Sequence, residues 1–281
     1  MREVHVNDIK EAVKETIIEA NCRLPQEVRV AFREALKVEE SAVGREVLEQ
    51  ILLNAEIAEK ERMPYCQDTG VDVIFIFIGQ DVCVVGGSLE EAINQGVREA
   101  TGEGYLRASM VWDPLFEREN TKDNTPAIIH YEVVPGDRIK IVVAPKGAGS
   151  ENTSRLAMLK PADGWEGVKN FILETVRLAG PNACPPFTVG VGIGGNFEYC
   201  AYLAKKALLR PVGKRHENPL IAKVEEELLE EINKIGWGPM GFGGTVTAVD
   251  VKVEMYPCHI ASLPVAVNIQ CHANRHAEKV I

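Results

Sequence analysis

No stretch of this 281-residue chain comes near the roughly 18 uninterrupted apolar residues needed to cross a bilayer, so no membrane helix is expected. The first ten residues hold Arg2, Glu3, Asp8 and Lys10 and lack the apolar core of a signal peptide, which points to a cytoplasmic protein. Basic runs are equally scarce. None exceeds Lys205-Lys206, and the formal net charge is −10, so nucleic acid and anionic membranes are poor partners. An anionic substrate would need a local cationic patch on an acidic surface. The chain has no Cys-x-x-Cys knuckle, which argues against structural zinc. Its seven cysteines are odd in number and show no paired spacing, which favours free thiols or metal ligands over a disulfide framework. There is no internal repeat and no low-complexity linker. The 46% hydrophobic content is enough to bury a full core, expected here as one domain over residues 1–281.

What is present reads as a mixed α/β (α+β) fold, with mixed sheets flanked by helices and a helical N-terminal layer over residues 1–62. Asn7 or Asp8 can cap a first helix carrying Ile9, Val13 and Ile17. Pro25 suits the first turn of a second helix, and Ser41 opens a third. Met63-Pro64 breaks the pattern and begins the α/β core, residues 63–281. Residues 71–78 form an apolar, β-branched and aromatic run, read as a buried strand. Ser88 and Glu91 form a capping box for a helix over 89–100. Residues 127–134 and 138–144 read as strands joined by Pro135-Gly136-Asp137. Helices are expected over 153–159, 164–179, from Asn196 to near Arg210, and over 218–235. Further strands are expected at 188–193, 245–255 and 263–270.

Three cysteines occupy unusual settings: Cys66 in Pro-Tyr-Cys-Gln-Asp-Thr-Gly, Cys184 in Ala-Cys-Pro-Pro-Phe, and Cys271 in Gln-Cys-His-Ala-Asn-Arg-His. A 4Fe–4S cluster used for electron transfer is usually held by four cysteines, so three would leave one iron open as a Lewis acid. Each setting also has a plain reading: a polar turn at Cys66, a stiff proline turn at Cys184, a solvated tail at Cys271. Cys22, Cys83, Cys200 and Cys258 lie in apolar elements and read as packing residues. Residues 146–152, Lys-Gly-Ala-Gly-Ser-Glu-Asn, could present backbone N–H groups to an anion ahead of a helix N-terminus. No Gly-Lys-Ser/Thr closes that segment, so it is not a Walker A loop. The glycines at 190–195 fit a dinucleotide fingerprint only loosely, and close packing accounts for them better. Arg107 has the planar fork that matches a carboxylate, and His259 could titrate near neutrality or donate to an anion.

As an ordered set, these motifs resemble the iron–sulfur-dependent class I fumarase family, which includes L-tartrate dehydratase, in its N-terminal or alpha part. The resemblance rests on Cys-Gln-Asp-Thr-Gly at Cys66, Leu-Arg-Ala-Ser at Arg107, Asn-Thr-Lys-Asp-Asn-Thr-Pro at Asn120, and the segment from Lys146. Ala-Cys-Pro-Pro at Cys184 and Cys-His-Ala-Asn-Arg at Cys271 complete it. It implies a 4Fe–4S cluster with one open iron on Cys66, Cys184 and Cys271. It further implies a dicarboxylate site lined by Gln67, Asp68, Arg107, Gly149 and His259, with Asp68 and His259 as the catalytic candidates. Single-chain members carry a second domain that this sequence does not show, so the expectation is an alpha subunit completed by a beta subunit, as α2β2. The implied reaction is reversible hydration of fumarate to L-malate. Dehydration of tartrate to oxaloacetate is the alternative, and a non-catalytic iron–sulfur sensor is the reading from another class.

Overall fold

The computed structural model describes all residues, Met1–Ile281. The chain divides into two compact units and passes between them several times: Met1–Pro25, Asn54–Ala148 and Arg275–Ile281 form the first, Gln26–Leu53 and Gly149–Asn274 the second. The expected 62-residue helical layer is thereby shared between both units.

In the first unit, strand β1 (Arg2–His5) leads into helix α1 (Val6–Cys22). This short strand displaces the expected cap: His5, not Asn7 or Asp8, is the N-cap, and its Nδ1 accepts from the Asn7 N–H at 3.1 Å. Helix α2 (Gln26–Val38) belongs to the second unit, and helix α3 (Ala42–Glu61) spans the division. Strand β2 (Val71–Gly79), strand β3 (Val82–Val85), helix α4 (Leu89–Glu103), strand β4 (Ile128–Val134) and strand β5 (Ile139–Lys146) follow. With strand β10 (Ala277–Val280) they make a sheet of order β10-β5-β2-β4, while β1 and β3 pair in parallel apart from it. β2 lies between β4, its parallel partner, and β5, its antiparallel one, so the turn at 135–137 joins strands that do not pair with each other. Ile74, Ile76, Ile139, Ile141 and Val143 of the sheet pack against Ile9, Val13 and Ile17 of α1 and Ile93 and Val97 of α4. Ser88 caps α4 by accepting from the Glu91 N–H at 3.3 Å, whereas the Glu91 side chain pairs with Arg98 at 2.7 Å. Only half of the capping box is therefore made.

The second unit opens with α2, then takes in most of the single turn α5 (Ala148–Glu151). It continues through strand β6 (Arg155–Leu159), helix α6 (Gly164–Ala179), strand β7 (Phe187–Gly194), helix α7 (Phe197–Ala207), helix α8 (Pro219–Asn233), strand β8 (Ala248–Tyr256) and strand β9 (Leu263–Gln270). The sheet order is β6-β9-β7-β8, with β7 and β8 parallel and β9 antiparallel to both of its neighbours. Val189, Val191 and Ile193 of β7 join Val251, Val253 and Val267 under α6 and α8. The alternate positions of β7 include Gly190 and Gly192. A Cβ on either would stand 2.1 Å from a carbonyl oxygen of α7, that of Ala204 or of Cys200. The glycines let a helix backbone lie directly on the strand, which supports the packing reading over a nucleotide one.

One expected element is corrected outright. Residues 153–159 are not a helix. Arg155–Leu159 is an edge strand paired with β9 from Arg155↔Val267 to Leu159↔Leu263. Leu-Ala-Met-Leu favours a helix locally, but pairing overrides that preference, and Ser154 anchors the strand start by accepting from the Ile269 N–H at 3.1 Å.

Candidate functional site

In the first unit, the Cys66 segment is a loop tied at many points. The Tyr65 N–H donates to the Asn21 carbonyl at 2.8 Å, and Asn54 Nδ2 donates to the Tyr65 carbonyl at 2.8 Å. Cys66 is half-buried and Gln67 exposed. Both Asp68 carboxylate oxygens accept backbone N–H groups: Oδ1 from Gly70 at 3.1 Å and Oδ2 from Ala148 at 2.9 Å. Thr69 Oγ1 accepts from the Arg107 N–H at 2.9 Å and donates to the Arg107 carbonyl at 3.2 Å. Arg107 is thus anchored through its backbone while its guanidinium stays exposed, with no hydrogen bond or ion pair of its own. The structure brings Gln67, Asp68 and Arg107 to one neighbourhood.

Asn124 ties the next layer together. Its Nδ2 donates to the Gly70 carbonyl at 3.1 Å and to Asp72 Oδ2 at 2.9 Å, and its Oδ1 accepts from the Ser109 N–H at 2.9 Å. The Leu-Arg-Ala-Ser and Asn-Thr-Lys-Asp-Asn-Thr-Pro motifs are therefore two sides of one looped-out segment, bridged at Val111↔Asn120.

Asp72, one of two polar side chains missed by sequence reasoning, is 1% exposed. Burial pushes its carboxyl up to about 7, against the Asn124 hydrogen bond and the charge of Arg275, which both lower it. The folded state then holds a proton that the unfolded chain, with its carboxyl at 3.8, gives up more readily. The contribution of this group to stability is full below the unfolded value and falls as pH rises to about 7, by up to about 4 kcal/mol. The melting temperature of the wild type relative to Asp72→Asn is expected to drop between about pH 4 and about pH 7. Equal pH slopes for the two proteins, measured by thermal melts, would contradict this.

In the second unit, Cys184 follows the short turn Gly180–Ala183 and takes a left-handed backbone, φ 53 and ψ 71. A non-glycine residue held there is strained by roughly 1–3 kcal/mol, a feature that concentrates at functional sites. Its N–H donates to the Pro181 carbonyl at 3.0 Å, and its own carbonyl accepts from the His272 N–H at 3.0 Å. That bond brings the Cys184 and Cys271 segments side by side. Gly149 lies against the same turn, since a Cβ there would stand 3.3 Å from the Asn182 carbonyl. The anion cradle expected at 146–152 loses its helix contribution, because α5 is a single turn. His259 sits on the exposed loop between β8 and β9, where its Nδ1 accepts from the Ala261 N–H at 3.1 Å. Its hydrogen bonds stay within that loop.

None of the seven cysteines forms a disulfide. Cys22 and Cys200 are buried thiols pushed up by burial, as packing residues should be. Cys83 is half-buried. Cys258 departs from the packing expectation: it is exposed, and its Sγ donates to the Ser262 carbonyl at 3.3 Å. Cys66, Cys184 and Cys271 are all half-buried on loops. No three His, Cys, Asp or Glu side chains are gathered into a metal-holding group. The donor set nonetheless suits a thiolate-bound group in kind: three accessible loop thiols, two of them on hydrogen-bonded neighbouring segments.

The model of the fumarate hydratase (Fumerase) family matches residues 10–280. This chain belongs to that family. Among its relatives, a protein of Methanocaldococcus jannaschii provisionally named L(+)-tartrate dehydratase subunit alpha is 48% identical over 280 residues, covering 97% of each chain. The L(+)-tartrate dehydratase subunit alpha of Escherichia coli (strain UTI89 / UPEC) is 34% identical, over 96% of this chain and 89% of that one. That of Escherichia coli O157:H7 is also 34% identical, over 98% and 91%. The chain is thus of the alpha-subunit type in a family of hydro-lyases. No helix is long and apolar enough to cross a membrane.

Proposed function

We propose that this chain is the alpha subunit of a cytoplasmic hydro-lyase that reversibly hydrates fumarate to L-malate, with a 4Fe–4S cluster on Cys66, Cys184 and Cys271 and a beta subunit completing the active site as α2β2. The observation that carries the reading is the bond between the His272 N–H and the Cys184 carbonyl, which makes neighbours of two segments far apart in sequence. When bound, such a cluster offers an open iron as a Lewis acid toward a substrate hydroxyl. Gln67 is exposed beside Cys66 and able to hydrogen-bond the substrate. The unpaired guanidinium of Arg107 is available for bidentate binding of a carboxylate. Gly149 leaves room at the Cys184 turn for a substrate oxygen. With Nδ1 of His259 accepting from the backbone, Nε2 carries the proton and can donate to the second carboxylate. Asp68, engaged through both oxygens, orients the loop and the proton-transfer group. The base itself is assigned to the partner subunit.

A second reading, L-tartrate to oxaloacetate, is favoured by the names of the relatives. The hydroxylated forms, L-malate and L-tartrate, differ by one hydroxyl group on the same four-carbon frame. Assaying the chain with a beta-subunit chain of the same family, anaerobically, on L-malate, fumarate and L-tartrate separates them. A kcat/KM for fumarate at least about tenfold above that for tartrate supports the first, the inverse ratio the second, and no turnover of any sinks both.

A further inference from the structure

Arg275 comes four residues after Cys271 and opens the segment that becomes β10, an edge strand of the first unit. Its side chain does not point to water: the residue is 3% exposed. Nη2 donates to the Asp68 carbonyl, while Nε and Nη1 are buried without any hydrogen-bond partner. Close by is Asp72, buried as well and held by Asn124, which also donates to the Gly70 carbonyl. The buried Arg275, Asp72 and Asn124 therefore grip the loop on both sides of Thr69, through the carbonyls of Asp68 and Gly70. A guanidinium taken out of water with two donors unsatisfied is costly to the fold. Apolar residues would fill the same space more stably, so stability alone gives no reason for this arrangement.

We infer that Arg275 is a positioning residue: its buried guanidinium, bonded to the Asp68 carbonyl, fixes the loop over residues 66–70 so that Gln67 and Asp68 are presented to the substrate. This deepens the proposed dicarboxylate site and rests on that reading for its catalytic consequence. The geometry supplies the mechanism. β10 pairs with β5, and β5 with β2, so Arg275 reaches from the sheet edge to the loop that feeds the central strand. The fork is planar and rigid, and its Nη2 donates to the Asp68 carbonyl. Lysine keeps the charge but has a single nitrogen.

Three backbone amides report the loop's position because each donates to a side chain on it: Gly70 and Ala148 to Asp68, and Arg107 to Thr69. Hydrogen–deuterium exchange on the full chain is compared for wild type, Arg275→Met and Arg275→Lys. Both variants are expected to exchange these amides about tenfold faster or more, with the β7 amides unchanged. With the beta subunit, Arg275→Lys is expected to lose at least about tenfold in kcat. Should Arg275→Met not fold, Arg275→Lys decides, since it keeps the positive charge. Wild-type exchange at all three amides in a folded Arg275→Lys overturns the inference. A wild-type pair that turns over no dicarboxylate overturns the proposed function instead, and the exchange data still judge Arg275 by themselves.

Discussion

Replacing Cys184 by Ser is expected to abolish turnover, by at least about a thousandfold, and to remove bound iron while the fold persists. A Lewis-acid metal is worth several kcal/mol at the transition state, and a hydroxyl does not replace a thiolate as ligand. The fold is spared because Cys184 is half-buried on a loop and not part of a hydrophobic core. Cys200→Ser is the control. That residue lies on the buried face of α7, 0% exposed and beside Ala204 and Ala266, so the variant is expected to lose stability while retaining iron. Iron content, thermal melts and turnover on the three variants, wild type included, check the pair. Full turnover and full iron content in Cys184→Ser would remove that cysteine from the ligand set.

The second large effect concerns the scaffold. In Gly192→Ala the new methyl would stand 2.1 Å from the Cys200 carbonyl and 2.6 Å from the Ala204 nitrogen, both backbone atoms of α7. No side chain can swing aside, so the helix must lift off β7 and open the packing that Ala204 and Ala266 share. Overpacking commonly costs about 1–3 kcal/mol, and a backbone collision belongs at or above the top of that range. A melting temperature lower by roughly 6–12 °C is expected. Gly102→Ala in α4 is the matched control: nothing lies within 4 Å of its Cβ position, and alanine is the better helix former. If the two variants melted together, the close approach of α7 to β7 would not matter as described.

The long, strongly patterned elements were legible from residues alone. Gly164–Ala179 and Leu263–Gln270 have the expected bounds, and α8, capped by Asn218, falls within the expected 218–235. Three strands of four residues each, β1, β3 and β10, were not legible, because four residues carry too little period to tell strand from loop. β6 was misread since its residues favour a helix and its partner β9 lies far along the chain. The site shows the same division. Cys66, Cys184 and Cys271 stand out by type and neighbours, and the structure pairs the segments of the last two. Asp72 sits inside an apolar run and Arg275 inside a polar tail, and neither setting reveals burial. Their significance depends on a contact across more than 200 residues, Arg275 to Asp68, that local sequence does not encode. The division of the chain into two interleaved units was hidden for the same reason.

The central claim is that three thiolates of this chain hold an iron–sulfur cluster with one open iron. It is tested most directly by iron and acid-labile sulfide analysis of anaerobically purified protein, followed by electron paramagnetic resonance with and without added dicarboxylate. The expected result is about four iron and four sulfide per chain and, after one-electron reduction with dithionite, a signal that L-malate, fumarate or L-tartrate perturbs. Zinc in place of iron, or a cluster signal indifferent to every dicarboxylate, would contradict it.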